Sequence, residues 1–262
     1  MAKMNHILYT ILLLVAPISV TGQSLKTPVD GVIATGMQIA QVRFMLEVYA
    51  TIGAGIKYHA PKEELKKAIA SYEETLSLLE KKIADPTVQS AVKTSRTAWV
   101  PVKKALLTAL EKRDIPAMKK SALFVHDHIR AVIRQMEIMN RYFSKNLKRP
   151  HPAAIGAAIE MAVSARRLSS HYMLKMWEVP DPTIEAHWNQ GMQKYRQALA
   201  ALQQSDVAHD PMIAAELKVC AKEYGFFETV IGFDTYMPVL VKRHAEAAYA
   251  SAGKIALKLL GR

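Results

Sequence analysis

The sequence predicts an all-α protein built from two tandem helical repeats, and three observations carry that expectation. Half of the 262 residues are apolar, helix formers dominate, and only 11 Gly and 12 Pro interrupt them. Apolar residues recur at three- and four-residue intervals, as in Leu65, Ile69, Tyr72, Leu76, Leu79 and Ile83. The second half repeats the first half's order of long helices and breaks, with Asp85-Pro86 answered by Asp210-Pro211.

Met1–Gly22 has the pattern of a cleavable secretory signal peptide. Lys3 supplies the positive start, Ile7–Val20 the apolar run, and Val20 and Gly22 the small residues before a mature start at Gln23. The expected location is therefore the periplasm. No later stretch is long and apolar enough for a span, so no transmembrane segment is expected in the mature chain.

The first repeat is expected over 23–150. Its first helix runs from about Gly31 to Tyr58 and is apolar around most of its circumference, so it should be largely buried. Gly53 and Gly55 weaken its end. The second runs from Pro61 to about Ile83, with Glu63 and Glu64 in the first turn and Lys81 and Lys82 in the last, as the helix dipole favours. Asp85-Pro86 opens the third, which Pro101 should kink or divide. Asp114 is the expected N-cap of the fourth, which continues to about Leu147. Lys148-Arg149-Pro150-His151-Pro152 marks the boundary between repeats.

The second repeat, 151–262, follows the same plan. Helices are expected over about Ala153–Glu178, Thr183–Gln204 and Met212–Phe227, with a last one ending near Leu260. Ala40 pairs with Ala162 and Leu46 with Leu168 at an offset of 122. Tyr72 pairs with Tyr195 at 123, and the Asp-Pro breaks pair at 125. Each repeat has the size of an up-and-down four-helix bundle. The two stand side by side or merge into one elongated bundle.

Charge and cysteine narrow the function classes. The net charge of +12 is concentrated in the first repeat, where 22 Lys and Arg stand against 12 Asp and Glu; residues 151–262 have 12 against 11. A basic first repeat suits an acidic partner or an anionic membrane surface, although a lysine-rich solvated face explains it more simply. The basic residues lack the aromatic interleaving of a single-strand binder, and no nucleic-acid partner is expected. Cys220 is the only cysteine, so an intramolecular disulfide is impossible; its apolar setting suits a buried, inert thiol.

The stretch richest in polar chemistry is Ile159–Trp177, which sets Arg166, Arg167, Ser169, Ser170 and His171 into an apolar helical pattern. Ala162, Arg166, Leu168 and Ser169 stand in register with a first-helix signature, Ala-Gly-Arg-Gln-Arg-Met-Leu-Ser-Gln-Arg, with His171 at its last arginine. Met192, Tyr195, Leu199 and Leu202 follow its second-helix pattern. The first repeat keeps Ala40, Met45 and Leu46, then Ile69, Tyr72, Leu76 and Leu79. It has Phe44 and Tyr49 at the arginine positions, with Arg43 one place off. In these residues the chain resembles the N-terminal domains of type IV pili methyl-accepting chemotaxis transducers, the PilJ-type or NarX-like sensor domains, in two degenerate copies.

That resemblance implies extracytoplasmic four-helix bundles whose first helices meet in pairs, some of which hold nitrate or nitrite between arginines. A guanidinium suits a planar anion because it donates several N–H bonds in one plane. The implied ligand-binding residues are Arg166, Ser169, Ser170 and His171, with Arg43 from the first repeat. No kinase or methyl-accepting output segment is expected within these residues. The expected function is thus a periplasmic sensor-type binding protein that takes a small nitrate-like anion or relays to a signalling, pilus- or chemotaxis-related partner protein. The alternative is a structural or adaptor protein. At residue level, Arg166 is equally readable as a buried arginine paired with Glu160 or a backbone carbonyl, and Arg167 as a solvated one.

No enzyme, metal or cofactor is expected. His126 and His128 are two apart on a helix and point in different directions, so a core histidine is the simpler reading of His126. Cys-x-x-Cys-His is missing, as are Glu-x-x-His pairs and a Gly-rich phosphate loop.

Overall fold

A computed structural model describes Leu25 and residues 27–111, 114–233 and 235–262; the signal-peptide expectation lies outside them. Among the described residues there are eight α-helices and no strand. They are α1 (Pro28–Gly53), α2 (Pro61–Lys82), α3 (Pro86–Glu111), α4 (Ile115–Lys145), α5 (Pro152–Met176), α6 (Ile184–Gln203), α7 (Pro211–Val230) and α8 (Pro238–Leu259), with a short 3₁₀ turn at Asp206–His209. None is long and apolar enough to cross a membrane.

The helix starts follow from local chemistry. In α1 the Thr27 hydroxyl accepts from the Asp30 amide, and the Asp30 carboxylate accepts from the Thr27 amide. Asp85 caps α3 by accepting from the amides of Thr87 and Val88 at 2.9 and 3.3 Å. Asp210 caps α7 by accepting from Met212 and Ile213 at 3.0 and 3.1 Å. The two Asp-Pro breaks are therefore the same device used twice. Asp114 caps α4 through the Ala117 amide, as expected.

Two details refine the expectation. Helix α1 ends at Gly53, earlier than Tyr58. Gly55 adopts φ +70°, which lets the Ile56 amide reach back to the Thr51 carbonyl and the Gly55 amide to Ile52. Helix α3 runs through Pro101 undivided. Both Pro101 and Thr97, whose carbonyl loses its helical donor, lie on the exposed side, where water can take that bond.

Contacts close the helices into two rings. Helix α1 packs on α2 and α4, and α3 lies between those two; α5 packs on α6 and α8, and α7 lies between those. The rings meet along α1 and α5, which are consequently buried over nearly their whole circumference. The cores correspond as well. Buried Tyr72 shares a 2.7 Å hydrogen bond with Ser95, and buried Tyr195 donates to the carbonyl of Cys220 at 3.1 Å. Ser95 and Cys220 are themselves 125 apart, the offset of the two caps.

Candidate functional site

The seam between α1 and α5 holds most of the buried charge. At offset 122 the equivalent of Arg166 is Phe44, and the two touch: the Arg166 guanidinium lies 4.4 Å from the centre of the Phe44 ring and 4.8 Å from that of Tyr249. A residue that meets its own equivalent lies near a local two-fold axis. The helices thus cross where the sequence resemblance would place paired arginines, with a ring on one side in place of the second arginine.

Arg166 already has an anion. Its Nη1 sits 3.5 Å from Oε2 of Glu47, and Lys242 from α8 sits 3.0 Å from Oε1. Glu47 and the Lys242 side chain are fully buried, and Thr51 accepts from Lys242 at 3.4 Å. The Lys242–Oε1 contact lacks hydrogen-bond alignment, so it is an ion pair held by charge alone. Glu160 instead accepts from Ser164 and pairs with Lys194. Sequence reading could not find Glu47 as the partner, because it lies 119 residues from Arg166.

Arg43 and Arg167 form a second group. Arg167, which sequence reading allows at the surface, is buried, with 7% of its area exposed; Arg43 has 9%. Burial, then the charge of Arg167, lowers the Arg43 pKa from the usual guanidinium range. Burial also lowers that of Arg167, while Glu160 and Glu137 oppose both shifts. Nη1 of Arg167 donates to Gln190 at 3.0 Å, but Nε of Arg167 and Nε of Arg43 have no hydrogen-bond partner.

The serines and His171 follow one another on α5 and meet different surroundings. Ser169 is fully buried with an unpartnered hydroxyl, whereas Ser170 donates to the Arg167 carbonyl at 2.8 Å. His171 Nδ1 donates to that carbonyl at 2.6 Å, and its Nε2 faces Nε2 of His126 at 3.1 Å. Burial, then Arg43, pushes the His171 pKa well below the ordinary value, which favours the neutral ring. Tyr49, the equivalent of His171, instead turns into the first ring to meet Thr108.

His171 leads outward to a group that sequence reading missed. The rings of His126 (α4), His171 (α5) and His187 (α6) lie 5.2 to 5.4 Å apart, centre to centre. Arg130 contacts Nε2 of His187 on the outer side. Nδ1 of His126 lies 2.7 Å from Oδ2 of Asp181 and 3.6 Å from Oδ1 of Asp127. Asp181 comes from the Pro180-Asp181-Pro182 break, which in sequence signals only a helix end. His128 points elsewhere, toward the Phe124 carbonyl. His126, Asp127 and Asp181 are the donor set among the described residues that could hold a metal ion.

An open surface hollow lined by Glu80, Gln89, Lys93 and Arg96 lies away from this seam, and its Arg96 is tied to Glu80 at 2.7 Å. Comparison with family models, curated proteins and solved structures found no match to the chain.

Proposed function

We propose that this is a sensor-type binding protein that takes a small, planar or tetrahedral anion between its two first helices, at Arg43 and Arg167. One observation carries this reading: two buried guanidiniums from the facing helices α1 and α5 each keep an unpartnered Nε, and the charge of Arg167 helps to lower the pKa of Arg43. A buried N–H without an acceptor costs about 1–3 kcal/mol. An anion there would accept from both groups and relieve their mutual repulsion. Arg166 supports the frame instead, because it is already paired with Glu47, which it shares with Lys242. His171, whose Nδ1 donates to the Arg167 carbonyl, stands beside the same pair. Occupancy would draw α1 and α5 together, and that movement is the signal such a protein would hand to a partner. Its proposed place of work is the periplasm.

A thermal-shift titration with nitrate, nitrite, sulfate, phosphate and small carboxylates tests this. At 100 times its dissociation constant, a ligand should raise stability by about 2.7 kcal/mol. The reading expects a shift selective for one anion. No shift with any anion in the panel at millimolar concentration removes it, and the adaptor reading, with the basic first repeat against an acidic partner, takes its place.

A further inference from the structure

We infer that His126, Asp127 and Asp181 form a binding site for one divalent transition-metal ion of the zinc type, with His171 as the residue that positions His126.

The Arg167 carbonyl can only accept, so the His171 nitrogen 2.6 Å from it, Nδ1, must carry a proton. In neutral His171 that leaves Nε2 as an acceptor. It lies 3.1 Å from Nε2 of His126, which must therefore donate. The other nitrogen of His126, Nδ1, is the one left to meet the site. What it faces is two carboxylates: Asp181 Oδ2 at 2.7 Å and Asp127 Oδ1 at 3.6 Å. A nitrogen among anionic oxygens calls for a cation between them, either a proton on Nδ1 or a metal ion.

The surroundings favour a metal ion in that place. His126 is 3% exposed and the Asp181 side chain 4%, yet Nδ1 and Oδ2 make no aligned hydrogen bond with each other or with anything else. Asp181 is already held by its other oxygen, since Oδ1 accepts from the amide and hydroxyl of Thr183 at 2.8 and 2.7 Å. Oδ2 is thus fixed in position and unused. The three ligand atoms lie within 4.8 Å of one another. Donors about 2.0–2.2 Å from a tetrahedral zinc ion stand about 3.3–3.6 Å apart. Asp127 Oδ1 already lies 3.6 Å from Nδ1, and the Nδ1–Oδ2 pair, at 2.7 Å, must open slightly to admit the ion. A ligating histidine that gives its other N–H to an acceptor is the usual support for a metal, and His171 supplies that acceptor. Two carboxylates also offset Arg43 and Arg130, the cations that bear on His126. Asp127, with 56% of its side chain exposed, leaves a way in from solvent.

The test is titration of tag-free, chelator-treated protein with Co²⁺, read by its visible d–d bands, and with Zn²⁺ against a chromophoric chelator. It needs no anion, so it stands or falls separately from the binding of one. One equivalent is expected. Asp181→Asn and Asp127→Asn should each weaken it at least about tenfold, and His171→Phe about 10–100-fold, the range for loss of a supporting partner. Asp127 is exposed, so its variant will fold even where a buried change does not; circular dichroism checks all three. Three results overturn the site: no saturable uptake, one equivalent retained undiminished in Asp127→Asn, or nitrogen-15 spectra showing His126 protonated on both nitrogens in protein that takes up no metal.

Discussion

Glu47 is the residue on which the seam depends electrostatically. It is buried between Arg166 and Lys242, and removing one member of a buried ion group leaves the others uncompensated, at a cost of about 3–5 kcal/mol. Urea unfolding of Glu47→Gln should show a loss in that range. The double variant Glu47→Gln with Lys242→Met should lose less than the single one; a larger loss would mean that Lys242 has another essential partner. Cys220 gives a second test at this scale. Burial pushes its thiol up to about 12, so the reactive thiolate is scarce below that pH. A thiol reagent at pH 8 should leave the folded protein unlabelled and modify one cysteine in guanidinium. Prompt labelling of folded protein would contradict its burial. The inert thiol was legible in sequence from its apolar neighbours. The role of Glu47 was not, because a single acid in an apolar helix does not reveal which distant cation meets it.

The ends of α1 and α5 show one element built twice with different residues. Helix α5 ends as α1 does, with the Val179 amide reaching the Leu174 carbonyl and the Glu178 amide reaching Lys175. The left-handed position is Glu178, at φ 55°, where α1 has Gly55. A side chain there costs energy that glycine avoids, so Glu178→Gly should stabilise by about 0.5–1 kcal/mol in thermal or urea melts. The exposed Glu178 carboxylate lies 3.8 Å from Lys119, a surface pair too weak to reverse the sign. Gly53 tests the packing of the two helix ends. A Cβ there would meet the Trp177 ring at 2.1 Å, so Gly53→Ala should destabilise by about 1–3 kcal/mol, measured the same way. Helix existence and most starts were readable from spacing and caps. The end of α1 was not, because the apolar pattern continues to Ile56 while the backbone has already turned at Gly55.

At the scale of the whole molecule, the duplication was visible in sequence mainly through Asp85-Pro86 and Asp210-Pro211, and the structure makes both of them caps. What joins the two rings was not visible in the periodicity, since apolar residues all around α1 and α5 say that they are buried but not against what; only the resemblance pointed to paired first helices. The contact of Arg166 with Phe44 supplies that answer. It also explains why the most conspicuous arginine is not the one with unmet hydrogen-bonding capacity: its anion is internal, whereas Arg43 and Arg167 keep free Nε groups. The measurement that tests this most directly is calorimetric titration of the best anion into the wild type, Arg43→Gln, Arg167→Gln and Arg166→Lys. Loss of a buried charge-assisted contact at either of the first two should weaken binding by about 1.5–3 kcal/mol, tenfold or more. Arg166→Lys keeps the charge beside Glu47 and should bind nearly as the wild type does. Binding that survives both Gln variants and disappears in Arg166→Lys would contradict the account and move the site to Arg166.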